Sequence, residues 1–191
     1  MEYLGKLCIF FFVINACHGI ETVTELNIDN YVGRWYQILE NQWTKITNRE
    51  RNNVCITATY TKLNETYVDV LNAGRDFEPM GPSVSIEGYA FVPNPAEPGA
   101  LKVALDGVPV VGDYWVTLLG PLRNGQYQYS VVTDGNNARA LYVLCRNVED
   151  FKARYMNQVL SYLQTEGFVG RLKQPVKVLH TPNCIYPPGF P

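Results

Sequence analysis

The stretch Asp29-Asn30-Tyr31-Val32-Gly33-Arg34-Trp35-Tyr36-Gln37-Ile38-Leu39 decides how this chain is read. Polar, turn-forming residues give way at Gly33 to a run whose alternate side chains share a face, the period of a β-strand. Glycine permits a tight entry into that strand. Trp35 then gives that strand one large apolar side chain.

Working outward from this strand, runs of alternating polarity recur at about ten-residue spacing, as an all-β barrel requires. They cover Gly33–Gln42, Asn53–Lys62, Thr66–Ala73, Ser83–Val92, Ala100–Asp106, Asp113–Leu119, Gln126–Thr133 and Ala138–Arg146. Gly81-Pro82, Pro93-Asn94-Pro95, Gly107, Asn124-Gly125 and Asp134-Gly135 supply turn chemistry between them. The spacing predicts an eight-stranded antiparallel up-and-down β-barrel, a size whose interior holds one small ligand. A single helix is expected to follow and to pack outside the barrel. Asn147 caps it, and Phe151, Tyr155, Val159 and Leu163 recur on one face, extended by Met156 and Leu160, until Gly167 stops it. An extended piece near Val176–Leu179 then leads to Cys184 and a proline-rich tail.

The chain has 191 residues, enough for one large core, and a net charge of -2. Its 16 Lys and Arg are scattered, which gives no basic footprint for nucleic acid or for an anionic surface. With 13 Tyr, 8 Phe and 3 Trp it is rich in rings that suit strands and apolar pockets. No metal site and no cofactor are expected: His18 and His180 are the two histidines, and neither stands in a ligand cluster. His180, in a polar tail segment, reads as solvated.

Residues 1–19 read as a secretory signal, with an apolar run from Leu7 to Ala16 too short to span a bilayer. Residues 20–191 then form one domain, with no stable membrane insertion. An alternative treats Ile14-Asn15-Ala16-Cys17 as a lipoprotein signal in which Cys17 carries a lipid anchor. Removal of the signal leaves Cys55, Cys145 and Cys184 in an oxidising compartment, where two can pair and one is left over. Asn64-Glu65-Thr66 is an acceptor sequon for N-glycosylation between two strand-like runs, where a surface hairpin is expected.

Gly33-x-Trp35, together with Leu141-Tyr142-Val143-Leu144-Cys145-Arg146-Asn147 at the end of the last strand, resembles the lipocalin family, in particular the group around apolipoprotein D and bacterial lipocalin. The resemblance runs from Leu26 to Cys184. It implies that Arg146 lies over Trp35 and closes the barrel floor, with Gly33, Trp35 and Arg146 structural rather than catalytic. It also implies a Cys55–Cys184 disulfide that ties the tail to the second strand, closing a loop of about 130 residues and contributing about 4–5 kcal/mol in the chain-entropy treatment. Cys145 is then a buried, inert thiol under the helix. A lipocalin-type enzyme, prostaglandin D synthase, uses a pocket cysteine as nucleophile, but strand parity turns Cys145 outward, so no enzymatic activity is expected. One family motif departs: Leu119-Gly120-Pro121 stands where lipocalins of this group carry Thr-Asp-Tyr, which weakens any receptor function tied to that end.

The resemblance implies a secreted carrier of a small hydrophobic molecule, a class that spans lipids, retinoids, sterols, carotenoids and bilins. Parity and resemblance together line the cup with Leu39, Tyr60, Val70, Asn72, Tyr114, Tyr142 and Leu144. Inward Tyr and Asn need polar partners that a ligand or trapped water supplies. The other readings are a pigment-binding protein, and an inhibitor or protein-interaction module using the open-end loops, with Asn41–Asn52 the loop for a partner. A receptor or a second copy of the chain are further possible partners.

Overall fold

The computed structural model describes residues 19–47 and 53–188. Residues 1–18 of the expected signal segment, Cys17 included, lie outside the described residues, as do the last residues of the Asn41–Asn52 loop. The chain enters through a short helix α1 (Ile28–Tyr31), capped by Asn27, whose side chain accepts the Asp29 N–H. There follow β1 (Gly33–Asn41), α2 (Gln42–Thr47), β2 (Asn53–Lys62), β3 (Tyr67–Asp76), β4 (Ser83–Phe91), β5 (Ala100–Leu105) and β6 (Gly112–Leu119). A small ribbon of β7 (Leu122–Arg123) and β8 (Gln126–Tyr127) precedes β9 (Tyr129–Thr133) and β10 (Leu141–Cys145).

Strands β1 to β6, β9 and β10 pair antiparallel in sequence order, and β10 returns to β1 with Tyr36 opposite Cys145 and Glu40 opposite Tyr142. This closes the expected eight-stranded barrel and leaves no free edge among its strands. A further strand, β11 (Pro175–Lys177), adds to the upper part of β1.

The expected helix is divided in two at Tyr155, into α3 (Val148–Arg154) and α4 (Met156–Thr165). Asn147 Oδ1 accepts the Asp150 N–H at 2.8 Å, satisfying a donor that the first turn leaves open. Asn147→Ala is expected to cost about 1 kcal/mol, read from the urea midpoint. At the other end Gly167 takes φ +78°, Phe168 N–H bonds Leu163 O at 2.8 Å, and Gly167 N–H bonds Gln164 O at 3.2 Å. This is a Schellman closure, which requires the left-handed conformation that glycine adopts without strain.

Phe151, Tyr155, Val159 and Leu163 pack on Ile38, Val131, Val143 and Cys145 of the barrel's outer wall. Leu160 does not share this face and is exposed. Cys145 sits where parity puts it, fully buried beneath the helices and unpaired. Burial pushes its thiol up to about 12, so little thiolate forms at pH 8. A thiol-reactive aromatic disulfide is therefore expected to leave Cys145 of the folded chain from Ile20 untouched and to label it in guanidinium.

Irregularities in two strands modify the sequence reading. A bulge between Gln37 and Leu39 shifts the β1 register against β10. Leu39, expected to face the cup, therefore turns outward into the packing under the helices. A second bulge, between Val54 and Thr57 of β2, places Cys55 at φ +55°. Asn53, Ile56 and Thr57 border the cup on either side of Cys55, where strict alternation would not place both Ile56 and Thr57.

The C-terminal segment is held along the outside of the barrel. Cys55 N–H bonds Leu179 O at 2.8 Å, and Cys55 and Cys184 form a disulfide. His180 is half-buried rather than solvated: its Nε2–H donates to Gln37 O, and its Nδ1 accepts from the Tyr186 hydroxyl, each at 2.9 Å. The expectation failed because the tail's polar composition carries no sign that it docks beside Tyr36.

Candidate functional site

The floor is built first. Gly33 enters β1 at φ +96°, where an added Cβ would stand 3.3 Å from Arg146 Nη1. Trp35 is 0% exposed, and its Nε1–H donates to Tyr31 O at 2.8 Å. The Arg146 guanidinium lies 3.6 Å from the centre of the Trp35 ring. Its Nη1 donates to Arg34 O, and its Nη2 to Tyr31 O and Val32 O, at 2.8 to 2.9 Å. One cation thus stacks on the plug and takes up the carbonyls where α1 ends, an arrangement that uses the fork of donors only arginine has. Burial lowers its pKa to about 10, which leaves it charged at neutral pH.

Above this floor lies a cavity of about 800 Å³, within the range of small-molecule sites. Val70, Val84, Ile86, Val103, Leu105 and Leu144 give it an apolar wall. Gln37, Glu40, Asn72 and Tyr142 form a polar side. Of the seven residues proposed to line a cup, the structure brings six together around it: Tyr60, Val70, Asn72, Tyr114, Tyr142 and Leu144. Leu39 is the one left out. Sequence reasoning missed Gln37 and Glu40. The available signal was the doublet Ile38-Leu39 between two polar residues, which breaks strict alternation and marks the bulge.

Glu40 is 7% exposed, and Gln37 Nε2 donates to its Oε2 at 3.4 Å. Burial raises the Glu40 carboxyl pKa, opposed by the charge of Lys45 on α2. Tyr142, whose hydroxyl is pushed up to about 12 mainly by burial, makes no hydrogen bond to another described side chain. At the deep end Tyr31, Tyr60, Tyr114 and Ser130 join in a hydroxyl network. Tyr31 Oη lies 2.9 Å from Ser130 Oγ and 2.8 Å from Tyr114 Oη, which is 2.9 Å from Tyr60 Oη. Burial pushes Tyr31 up to about 12 and Tyr60 and Tyr114 higher still, so each keeps its proton at neutral pH.

The strands run so that the loops after β1, β3, β5 and β9 surround the mouth. That rim is apolar in places, with Phe77 69%, Met80 70% and Val110 67% exposed. Among the described residues no three His, Cys, Asp or Glu side chains are grouped to hold a metal ion, and no helix is long and apolar enough to cross a membrane.

A closed antiparallel barrel with a plugged floor and one deep cavity defines a cup-shaped binding fold. The Lipocalin-like domain family matches residues 26–177, and the chain belongs to the lipocalin family. It is 30% identical over 178 residues to temperature-induced lipocalin-1 of Arabidopsis thaliana, covering 88% of this chain and 86% of that protein. It is 27% identical over 164 residues to the outer membrane lipoprotein Blc of Escherichia coli (strain K12), covering 82% and 85%. In fold it resembles lobster apocrustacyanin A1, with a TM-score of 0.57, 13% identity and coverage of 89% of this chain and 95% of that one. It also resembles the amine binding protein of Rhodnius prolixus in its tryptamine complex, with a TM-score of 0.57, 21% identity and coverage of 90% of each chain.

Proposed function

We propose that this chain is an extracellular carrier that holds a small, largely apolar molecule in its barrel. The observation that carries the reading is the cavity of about 800 Å³, whose wall pairs aliphatic side chains with the Tyr142 hydroxyl and Asn72 amide, neither bonded to another described side chain. Such a surface gains from covering its apolar part and from giving its polar atoms a partner. Leu144, Val70, Tyr60 and Tyr114 contribute apolar surface, and Asn72 and Tyr142 orient the ligand. The function is binding, not chemistry: Cys145, the described free thiol, lies outside the cup and holds its proton.

Secretion is supported by the apolar run Leu7 to Ala16 and by the Cys55–Cys184 disulfide, a bond that persists in oxidising compartments. The Asn64 sequon supports glycosylation. Asn64 is exposed in the β2–β3 hairpin, and its Oδ1 accepts from the Thr66 hydroxyl at 3.2 Å.

Tyr142→Trp fills the cup without adding charge. It is expected to weaken binding of a displaceable, uncharged interior fluorophore such as N-phenyl-1-naphthylamine at least several-fold while leaving the thermal midpoint within a few degrees. Unchanged fluorophore affinity would remove Tyr142 from the site. A coloured ligand is distinguished by visible absorption of the protein from its own source. The apolar rim at Phe77, Met80 and Val110 favours a second reading, in which the open end also docks on a partner.

A further inference from the structure

The hydroxyl network at the deep end of the cup has a hydrogen-bond count that does not balance within the protein. Tyr31 of α1, Tyr60 of β2, Tyr114 of β6 and Ser130 of β9 carry four hydroxyl hydrogens between them, and they make three mutual contacts. Either oxygen of each pair can donate, but each contact consumes one hydrogen, so one hydrogen is left over. We infer that this surplus hydrogen is presented to the cavity by Tyr60 or Tyr114, and that the cup selects ligands carrying a neutral oxygen acceptor, such as a ketone, aldehyde or hydroxyl, at the end that enters first. The inference rests on the carrier reading and names the chemical class that the cup takes.

Burial fixes where the surplus falls. Ser130 is 0% exposed and its Oγ meets only Tyr31 Oη, so a surplus hydrogen there would be a buried donor with no acceptor. Tyr31 is 3% exposed, does not border the cavity, and is in the same position. The arrangement that uses every buried hydrogen has Ser130 donating to Tyr31 and Tyr31 donating to Tyr114. The remaining contact joins Tyr114 and Tyr60, the two members that line the cavity, and whichever of them accepts keeps a hydrogen for the ligand. A donor at the end of such a chain is polarised by the bonds behind it and is stronger than an isolated phenol.

The charges around the cup narrow the acceptor to a neutral one. Arg146, beneath the floor, favours an electron-rich atom at this depth, but the Trp35 ring stands against its guanidinium and its N–H groups are committed to main-chain carbonyls. Of the carboxylates that border the cavity, Asp113 is paired with Lys102 at 2.7 Å, which leaves Glu40, Asp106 and Asp134 against Lys45, and this remaining excess opposes an anionic ligand.

The test compares two probes of nearly the same shape, 2-acetylnaphthalene and 2-ethylnaphthalene, by titration calorimetry on the wild-type chain and on Tyr60→Phe/Tyr114→Phe. The ratio of ketone to hydrocarbon affinity is expected to fall about five- to tenfold in the double variant, the worth of one neutral hydrogen bond. An unchanged ratio overturns the inference while leaving the carrier reading intact, and failure of the wild-type protein to bind either probe overturns both. Should the double variant not fold, infrared spectra of 2-acetylnaphthalene bound to the wild-type chain decide. A carbonyl stretch below its position in hexane is expected, and a stretch at the hexane position overturns the assignment.

Discussion

Trp35→Ala is expected to lower stability by about 3–5 kcal/mol, the range for removing a large aromatic side chain from a core. The floor has little means of collapsing into the space. Trp35 is held by its Nε1–H bond to Tyr31 O, by the Tyr31 ring at 5.1 Å and by the Arg146 guanidinium at 3.6 Å. Truncation also leaves Arg146 beside a void without its ring partner, adding the loss of a desolvated cation–π contact. The midpoint of urea unfolding checks this, and a midpoint equal to wild type would contradict the assignment of Trp35 as the plug. Arg146→Lys keeps the charge and loses the fork, so it is expected to recover only part of the stability lost in Arg146→Ala.

The second large effect comes from the staple. Cys184→Ser opens a bridge between residues 129 apart in sequence, and the expected loss is about 2–5 kcal/mol. The upper end follows from the entropy that a long closed loop removes from the unfolded chain. The lower end allows for the tail's other attachments, which hold it in place without the bond: β11 on β1, Leu179 O on Cys55 N–H, and His180 between Gln37 O and the Tyr186 hydroxyl. Because the bridge lies on the outer wall, the variant is expected to bind the interior fluorophore with near-wild-type affinity at a temperature where it is folded. A thermal midpoint unchanged from wild type, with Cys55 free in the variant, would show that the bridge contributes nothing to stability.

Much of the fold was legible because barrel strands carry period-2 alternation and because turns and caps use few residue types. Gly33, Asn147 and Gly167 each announced a backbone event that the structure contains. The cup was legible to the extent that parity holds along a strand. Val70, Asn72, Tyr142 and Leu144 lie on strands whose register runs unbroken through them, and all border the cavity. Leu39 follows a bulge and does not. A bulge inserts one residue and inverts every face beyond it, so the same rule that succeeds on β3 and β10 fails on β1.

The hydroxyl network could not be read from sequence for a different reason. Tyr31, Tyr60, Tyr114 and Ser130 come from α1, β2, β6 and β9, and their meeting depends on closure of the barrel rather than on any local spacing. His180 shows the same limit, since its partners Gln37 and Tyr186 meet only when the tail wraps the wall.

The polarity of the cup now has a physical outline. A floor sealed by Trp35 and Arg146 carries a hydroxyl donor at depth, aliphatic side chains flank the middle, and Glu40 with Gln37 lies on the polar side. The central claim, that this cup carries a small apolar molecule, is tested most directly by native mass spectrometry of the protein isolated from its own source, followed by solvent extraction. The account predicts a native mass above that of the same protein after denaturation by one small molecule, released into the organic phase. A mass with no such addition, together with no uptake of retinoid, fatty acid or bilin probes by the purified protein, would contradict it.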